Sequence, residues 1–147
     1  MTKLQRLLVL HEGMILHRYK CPAGKVTIGV GHNLEARPLD LPETITEQQA
    51  LAILEDDIED VRQELIHALP WVASMDEVRQ AVLLDMGFNL GVPGLLKWKN
   101  TLAAVKTGNW VAASANMGLS KWYSQVGDRA KRLMQMMVSG NWPQGVA

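Results

Sequence analysis

Glu12-Gly13-Met14-Ile15-Leu16-His17-Arg18-Tyr19-Lys20-Cys21-Pro22-Ala23-Gly24-Lys25-Val26-Thr27-Ile28-Gly29-Val30-Gly31-His32-Asn33 is the stretch where one sequence pattern gives way to another. Ahead of it, Leu4, Leu7, Leu8 and His11 recur at helical spacing. They predict a short amphipathic helix over 3–12, which Gly13 stops. Inside the stretch, His17-Arg18-Tyr19 and Val26-Thr27-Ile28-Gly29-Val30-Gly31 flank a Pro/Gly turn and predict two short strands. Residues 34–43 form a Pro-containing loop. Thr46 with Gln49 three residues on fits a capping box. Behind it Leu51, Leu54, Ile58, Val61 and Leu65 alternate three and four apart, predicting one long helix over about 47–68 that Pro70 ends. Its other face, Glu47, Glu55, Asp56, Glu59, Asp60, Arg62 and Glu64, is charged and solvated. Asp76 caps a second strong helix, 77–90, which Gly91, Pro93 and Gly94 break. Shorter helices are expected at 94–97, 99–106, 110–118 and 128–138, with Gly108 and Gly127 as punctuation.

The expected fold is α+β and mainly helical, with a small N-terminal sheet. We expect one domain over 1–147. Its parts are a β-lobe over about 13–46, a connecting helix over 47–68, and a helical lobe over 70–147 together with the first helix. A cleft between such lobes is where a polymer substrate would lie.

Composition narrows the function classes. The chain has 147 residues, 15 basic and 15 acidic, for a formal net charge of zero. That balance gives no general attraction to nucleic acid. The single cysteine, Cys21, excludes an internal disulfide. No apolar run approaches the ~20 residues that span a bilayer. Met1 to Leu10 lacks the pattern of a signal peptide, so the expected origin is a cytoplasm. His11, His17, His32 and His67 lack metal-ligand spacing, and neither a metal nor a cofactor is expected. No Gly-x-Ser-x-Gly supports a Ser-His-Asp triad, and the Gly-x-Gly at 29–31 belongs to neither a Rossmann nor a P-loop pattern. Glycines in a strand instead suggest close approach of another backbone or a ligand.

Glu12, eight residues, Cys21, five residues, Thr27, then Ile28-Gly29-Val30-Gly31-His32 resembles the active-site signature of the phage-type lysozymes and endolysins, glycoside hydrolase family 24. Phe88-Asn89-Leu90-Gly91 with Gly94 resembles the segment lining the far side of that family's cleft. Asn100-Thr101-Leu102, Asn116, Ser120-Lys121-Trp122-Tyr123-Ser124-Gln125 and Asp128-Arg129-Ala130-Lys131-Arg132 resemble its C-terminal lobe. The likeness covers nearly the whole chain. The loop 34–45 departs from it, being shorter than in the T-even form.

The resemblance implies hydrolysis of the β-1,4 bond between N-acetylmuramic acid and N-acetylglucosamine in bacterial peptidoglycan. It makes Glu12 the general acid, puts Cys21 where most members carry an Asp, and has Thr27 help hold the attacking water. It makes Arg129 a partner of Glu12 and His32 a structural ion pair with Asp57. Asn33, Phe88, Asn89, Thr101 and Asn116 become substrate contacts. A cation lowers a carboxyl pKa whereas a general acid needs it raised, so burial must offset such an Arg129 pairing.

Read without the family, Thr27 is an ordinary strand residue, Glu12 a solvated glutamate and Cys21 a small buried side chain. As an active-site thiol, Cys21 has three roles open: thiolate nucleophile, weak base on a water, or positioner. At a pKa of ~8.5 only a few per cent would be thiolate at neutral pH. Trp98, Trp110, Trp122 and Tyr123 read as core packing ahead of sugar platforms.

Three further readings stand beside the muramidase: a lytic transglycosylase on the same bond, a catalytically weak wall-binding module, and a membrane-active protein working through the basic helix around Arg129, Lys131 and Arg132. The implied setting is phage lysis of a bacterial host. A monomer without membrane anchor or nucleic-acid partner would accumulate in the host cytoplasm and reach the periplasm and wall after a separate holin opens the membrane.

Overall fold

A computed structural model describes residues 1–146. Contacts divide the chain into two compact units, Met1–Asp60 and Val61–Ala147. The first holds helix α1 (Lys3–Glu12), strands β1 (Ile15–Lys20), β2 (Val26–Gly29) and β3 (His32–Asn33), and the start of helix α2 (Glu47–Ala68). The second holds a 3-10 turn (Pro70–Ser74) and helices α3 (Glu77–Leu90), α4 (Val92–Leu95), α5 (Lys99–Lys106), α6 (Trp110–Gly118), α7 (Lys121–Val126) and α8 (Asp128–Ser139). The fold is α+β and mainly helical, as expected. Among the described residues no helix is long and apolar enough to cross a membrane.

In the first unit, α1 begins with a capping box at Thr2 and Gln5. It buries Leu7 and Leu8, each worth roughly 1.5–3 kcal/mol of transfer free energy. By its contacts α1 falls in this unit, although the sequence reading grouped it with the later helices. The sheet is antiparallel in the order β1-β2-β3. It has three strands where two were expected. Val26 to Gly31 was read as one strand, but Gly29 and Gly31 both take positive φ and turn the chain back, so His32 and Asn33 pair with Ile28 and Thr27. A register irregularity between Ile15 and Tyr19 bends β1.

Loop 34–45 folds onto the sheet. Arg18 donates to the carbonyls of Leu41 (3.0 Å) and Pro42 (3.1 Å), and the Ile45 N–H donates to Leu16 O (2.9 Å). Ile28, Ile45 and Ala50 form the core beneath. The Thr46–Gln49 capping box then starts α2 as predicted: Gln49 N–H donates to Thr46 Oγ1 (3.1 Å), and Thr46 N–H to Gln49 Oε1 (2.8 Å).

His32 is buried, 4% exposed. Its Nδ1 lies 2.7 Å from Asp57 Oδ2, and its Nε2 lies 2.9 Å from the Arg37 carbonyl. Both neighbours only accept, so both ring nitrogens must carry hydrogen, and the imidazolium alone satisfies the pair. The Asp57 hydrogen bond accordingly raises the His32 pKa, against the lowering effect of burial. The His32–Asp57 pair implied by the family resemblance is present, and it ties loop 34–45 to α2.

In the second unit, α3 is buried on all sides over Ala81–Gly87, so it has no wet stripe. Inside that run the fully buried Asp85 receives a hydrogen bond from Arg129 Nε (2.9 Å), whose side chain is 9% exposed. Arg79 donates through Nε to Met137 O (2.7 Å) and through Nη2 to Val138 O (3.0 Å), where α8 leaves carbonyls free. Its guanidinium also lies over the Trp110 ring, 4.1 Å from the centroid. Trp122 is buried, packs edge-on to Trp98 at 5.4 Å, and donates from Nε1 to Asn89 Oδ1 (2.8 Å).

Two expectations here need correction. The helix placed at 94–97 lies at Val92–Leu95, because Pro93 sits in its first turn, where a missing N–H costs nothing. Helix α7 was not predicted. It is six residues long and has no side-chain cap.

The two buried ion pairs give opposite tests. Asp85→Ala removes the buried carboxylate that Arg129 Nε bonds and should lower unfolding stability by about 3–5 kcal/mol. Arg129→Met in the Asp85→Ala background should recover part of that loss in urea denaturation. His32 has a raised folded pKa. Its stabilisation is fully present below the unfolded histidine value of ~6.5 and is lost as pH rises through the folded value. Stability should therefore fall with rising pH across that window, and His32→Gln should remove that slope.

Candidate active site

Glu12 is the last residue of α1. Burial of Leu7 and Leu8 fixes which way the helix faces, and Gly13 (φ 75°) ends it, its N–H donating to Val9 O (2.8 Å). The chain leaves directly into β1, so the Glu12 carboxyl is delivered to the sheet. It meets the turn between β2 and β3. A Cβ at Gly31 would stand 3.0 Å from Glu12 Oε2 and 3.1 Å from its Cδ, and Gly31 has φ +67°. Both the contact and the backbone conformation require glycine there. Where the strand glycines suggested another backbone or a ligand, the close neighbour at Gly31 is instead the Glu12 side chain. At Gly29 a Cβ would meet Ala50 only at ordinary contact distance, 3.5 Å.

Cys21 sits where β1 turns toward β2. Its N–H donates to Lys25 O (2.9 Å), and its own carbonyl accepts from the Gly24 N–H (2.8 Å). This tight turn gathers backbone N–H groups around the half-buried thiol. Hydrogen bonding from the Lys25 backbone is the largest influence on it, with smaller ones from the Ala23 backbone and the Thr27 hydroxyl. Together they outweigh desolvation and lower the thiol pKa. The turn acts as a small nest for a negative sulfur.

Thr27 is buried, and its hydroxyl donates to Lys25 O (3.0 Å). A hydroxyl has one hydrogen. While that hydrogen is on Lys25 O, Thr27 can only accept from a Cys21 S–H. Once the sulfur is a thiolate, the hydroxyl can rotate and donate to it.

Tyr19 belongs to the same cluster, though the sequence reading gave it no role. It is half-buried and pairs with Thr27 across the ladder. Burial raises its phenol pKa first, and the negative charges of Glu12 and Cys21 raise it further. One phenol therefore senses both groups. The signal was present in sequence: Tyr19 lies two residues before Cys21, at the same phase of strand alternation.

The remaining candidates divide between the units. In the first unit, Asn33 spends its side-chain carbonyl on the backbone N–H groups of Glu35 (2.9 Å) and Ala36 (3.1 Å). In the second, Thr101 and Asn116 line one hollow of about 270 Å3 with Trp98, Asn100, Leu119 and Ser120. Phe88 is half-buried near the end of α3, and the neighbouring Asn89 is held by Trp122. Arg129 bonds the buried Asp85 within its own unit. That acid went unremarked because a lone Asp in an apolar helical run carries no pattern of its own.

The chain is similar in sequence to known proteins. The chain is 29% identical to the pre-baseplate central spike protein Gp5 of Enterobacteria phage T4 over 88% of its own length, spanning 26% of that protein. It is 26% identical to the probable T4-type lysozyme 1 of Dictyostelium discoideum, covering 95% of each chain. With an endolysin from Acyrthosiphon pisum secondary endosymbiont phage 1 it shares 28% identity over 79% of this chain and 74% of that one. The chain thus spans about a quarter of one relative and nearly all of another. The phage lysozyme family matches residues 9–136, a segment that contains Glu12, Cys21, Thr27 and all of the C-terminal helices up to Met136, and the chain belongs to that family.

Proposed function

We propose that this chain is a peptidoglycan-cleaving glycoside hydrolase, a muramidase cutting the β-1,4 bond from N-acetylmuramic acid to N-acetylglucosamine. The observation that carries this reading is that one small sheet holds Glu12 against its β2–β3 turn at Gly31 and Cys21 with Thr27 at its β1–β2 turn. A glycosidase needs two groups on opposite sides of the scissile bond. Glu12 serves as general acid and protonates the leaving oxygen. Cys21 stands where a second carboxylate would be, and hydrogen bonding to its sulfur favours the charged form. The thiolate acts on a water, as base or positioner, with Thr27 relaying a hydrogen bond. Direct attack by that water inverts the anomeric centre.

Asn33 is the candidate sugar contact of the first unit; Phe88, Asn89, Thr101 and Asn116 are, by themselves, the candidates of the second. His32 and Arg129 act as supports. The endolysin among the relatives supports a role in host lysis, with a monomer reaching the wall through a separate membrane lesion. One observation favours a second reading. The Glu12–Cys21–Thr27 set contains a single carboxylate, which is all that a lytic transglycosylase needs, and a 1,6-anhydromuramoyl product would identify that reaction. A wall-binding module without catalysis would clear no wall suspension at all.

Glu12→Gln should lower clearing of a purified wall suspension by about a hundredfold or more, with the thermal midpoint retained. A loss under tenfold, about 1.4 kcal/mol in barrier, would remove Glu12 from the acid role. For Cys21, alkylation by iodoacetamide should proceed in the native protein with a pH midpoint below that of an ordinary thiol, because thiolate forms earlier as pH rises. Cys21→Ser should lose most lysis and Cys21→Asp should retain it. Full activity in Cys21→Ala with an unreactive native thiol would reduce Cys21 to packing.

A further inference from the structure

Tyr19 opposes Thr27 in the β1–β2 ladder, and directly opposed residues of an antiparallel pair project from the same face. Cys21 is in hydrogen-bond contact with Thr27, so three side chains share that face. Glu12, at the end of α1, lies against Gly31 in the β2–β3 turn of the same sheet, and its charge is felt at the Tyr19 phenol. A register irregularity lies between Ile15 and Tyr19 in β1. The Tyr19 ring is half-buried, which anchors it. Among the described residues its hydroxyl forms no hydrogen bond, while Thr27, opposite it in the ladder, and Asn33, opposite Thr27, are both engaged. A half-buried phenol on the face of Thr27 and Cys21, anchored by its ring and with its O–H unspent, is placed to serve a ligand.

We propose that Tyr19 is a substrate-contacting residue of the catalytic centre, donating a hydrogen bond from its phenol O–H to an oxygen of the amino sugar engaged by Glu12 and Cys21. This rests on the glycosidase reading above. The role suits the residue chemically. Burial and the negative charges of Glu12 and Cys21 hold the phenol in its neutral form, so it keeps the proton it donates. As a neutral donor it adds no third negative charge to a centre that already holds a carboxyl and a thiol. Its ring edge also offers apolar surface to the C–H face of a pyranose. Lys or Arg at this place would pair with Glu12 and Cys21 instead of with the sugar.

Tyr19→Phe keeps the ring and removes the hydroxyl. Binding of an N-acetylglucosamine hexamer, followed by titration calorimetry, should weaken about three- to tenfold, the worth of one neutral hydrogen bond. Wall clearing should fall at least as far. The thermal midpoint and the pH midpoint of Cys21 alkylation should stay at their wild-type values. Wild-type binding and clearing in Tyr19→Phe would overturn the proposal and leave the ring as packing. A shifted alkylation midpoint with unchanged hexamer binding would also overturn it, making Tyr19 a positioning residue acting through Cys21. Failure of the wild-type chain to bind the hexamer counts against it as well. Failure of the glycosidase reading looks different: wild-type protein binds the hexamer and loses affinity in Tyr19→Phe, yet clears no wall.

Discussion

Everything at the candidate centre depends on the contact between the Glu12 carboxylate and the backbone at Gly31. A helix end and a strand turn approach so closely that a single methyl group on residue 31 would stand 3.0 Å from a carboxylate oxygen. That approach sets how α1 meets the sheet. It also sets where β2 turns into β3, because the positive φ that Gly31 supplies both opens the space and reverses the chain. His32 follows immediately, and its position as a buried cation against Asp57 is inherited from the same turn. The turn is thereby held from two sides, by α1 through Glu12 and by α2 through His32.

At the β1–β2 turn, the chain surrounds the Cys21 thiol with backbone donors. An aspartate brings its own negative charge at neutral pH. A thiol must be helped to it, and the Cys21–Lys25 turn does so with N–H groups from Lys25 and Ala23, backed by the Thr27 hydroxyl. Such donors are dipoles fixed by the fold, so they need no reorganisation when charge forms on sulfur. Thr27 is the link between thiol and scaffold, since its one hydrogen is shared between Lys25 O and the sulfur according to the charge on Cys21.

Much of the helical framework was legible in the sequence, for reasons that can be traced to particular residues. Helix α2 runs over 47–68 as read, because a capping box starts it, an unbroken three-four alternation carries it, and a proline lies two residues past its end. Helix α3 was equally plain, with Asp76 accepting from the Arg79 N–H (3.0 Å) at its start and Gly91 at its end. Where the reading went astray, local signals were weak or double-edged. Pro93 breaks a helix from inside but starts one from its first turn. Strand β3 has two residues, too few for alternation to show. Helix α7 has six, with no cap to announce it.

The sequence by itself determined the elements, the order in which they occur, and the spacing of Glu12, Cys21 and Thr27 that marks the family. Those properties are local: they depend on periodicity, caps and turn residues within a few positions of one another. The tertiary structure alone decided which groups meet. It set Tyr19 beside both Glu12 and Cys21, gave Arg129 the buried acid Asp85, and turned Gly31 from a strand residue into the floor beneath a carboxylate. The physical reason is that burial and charge pairing act between residues far apart in the chain. Asp85 and Arg129 stand 44 positions apart, and no pattern along the sequence encodes the desolvation that makes each need the other.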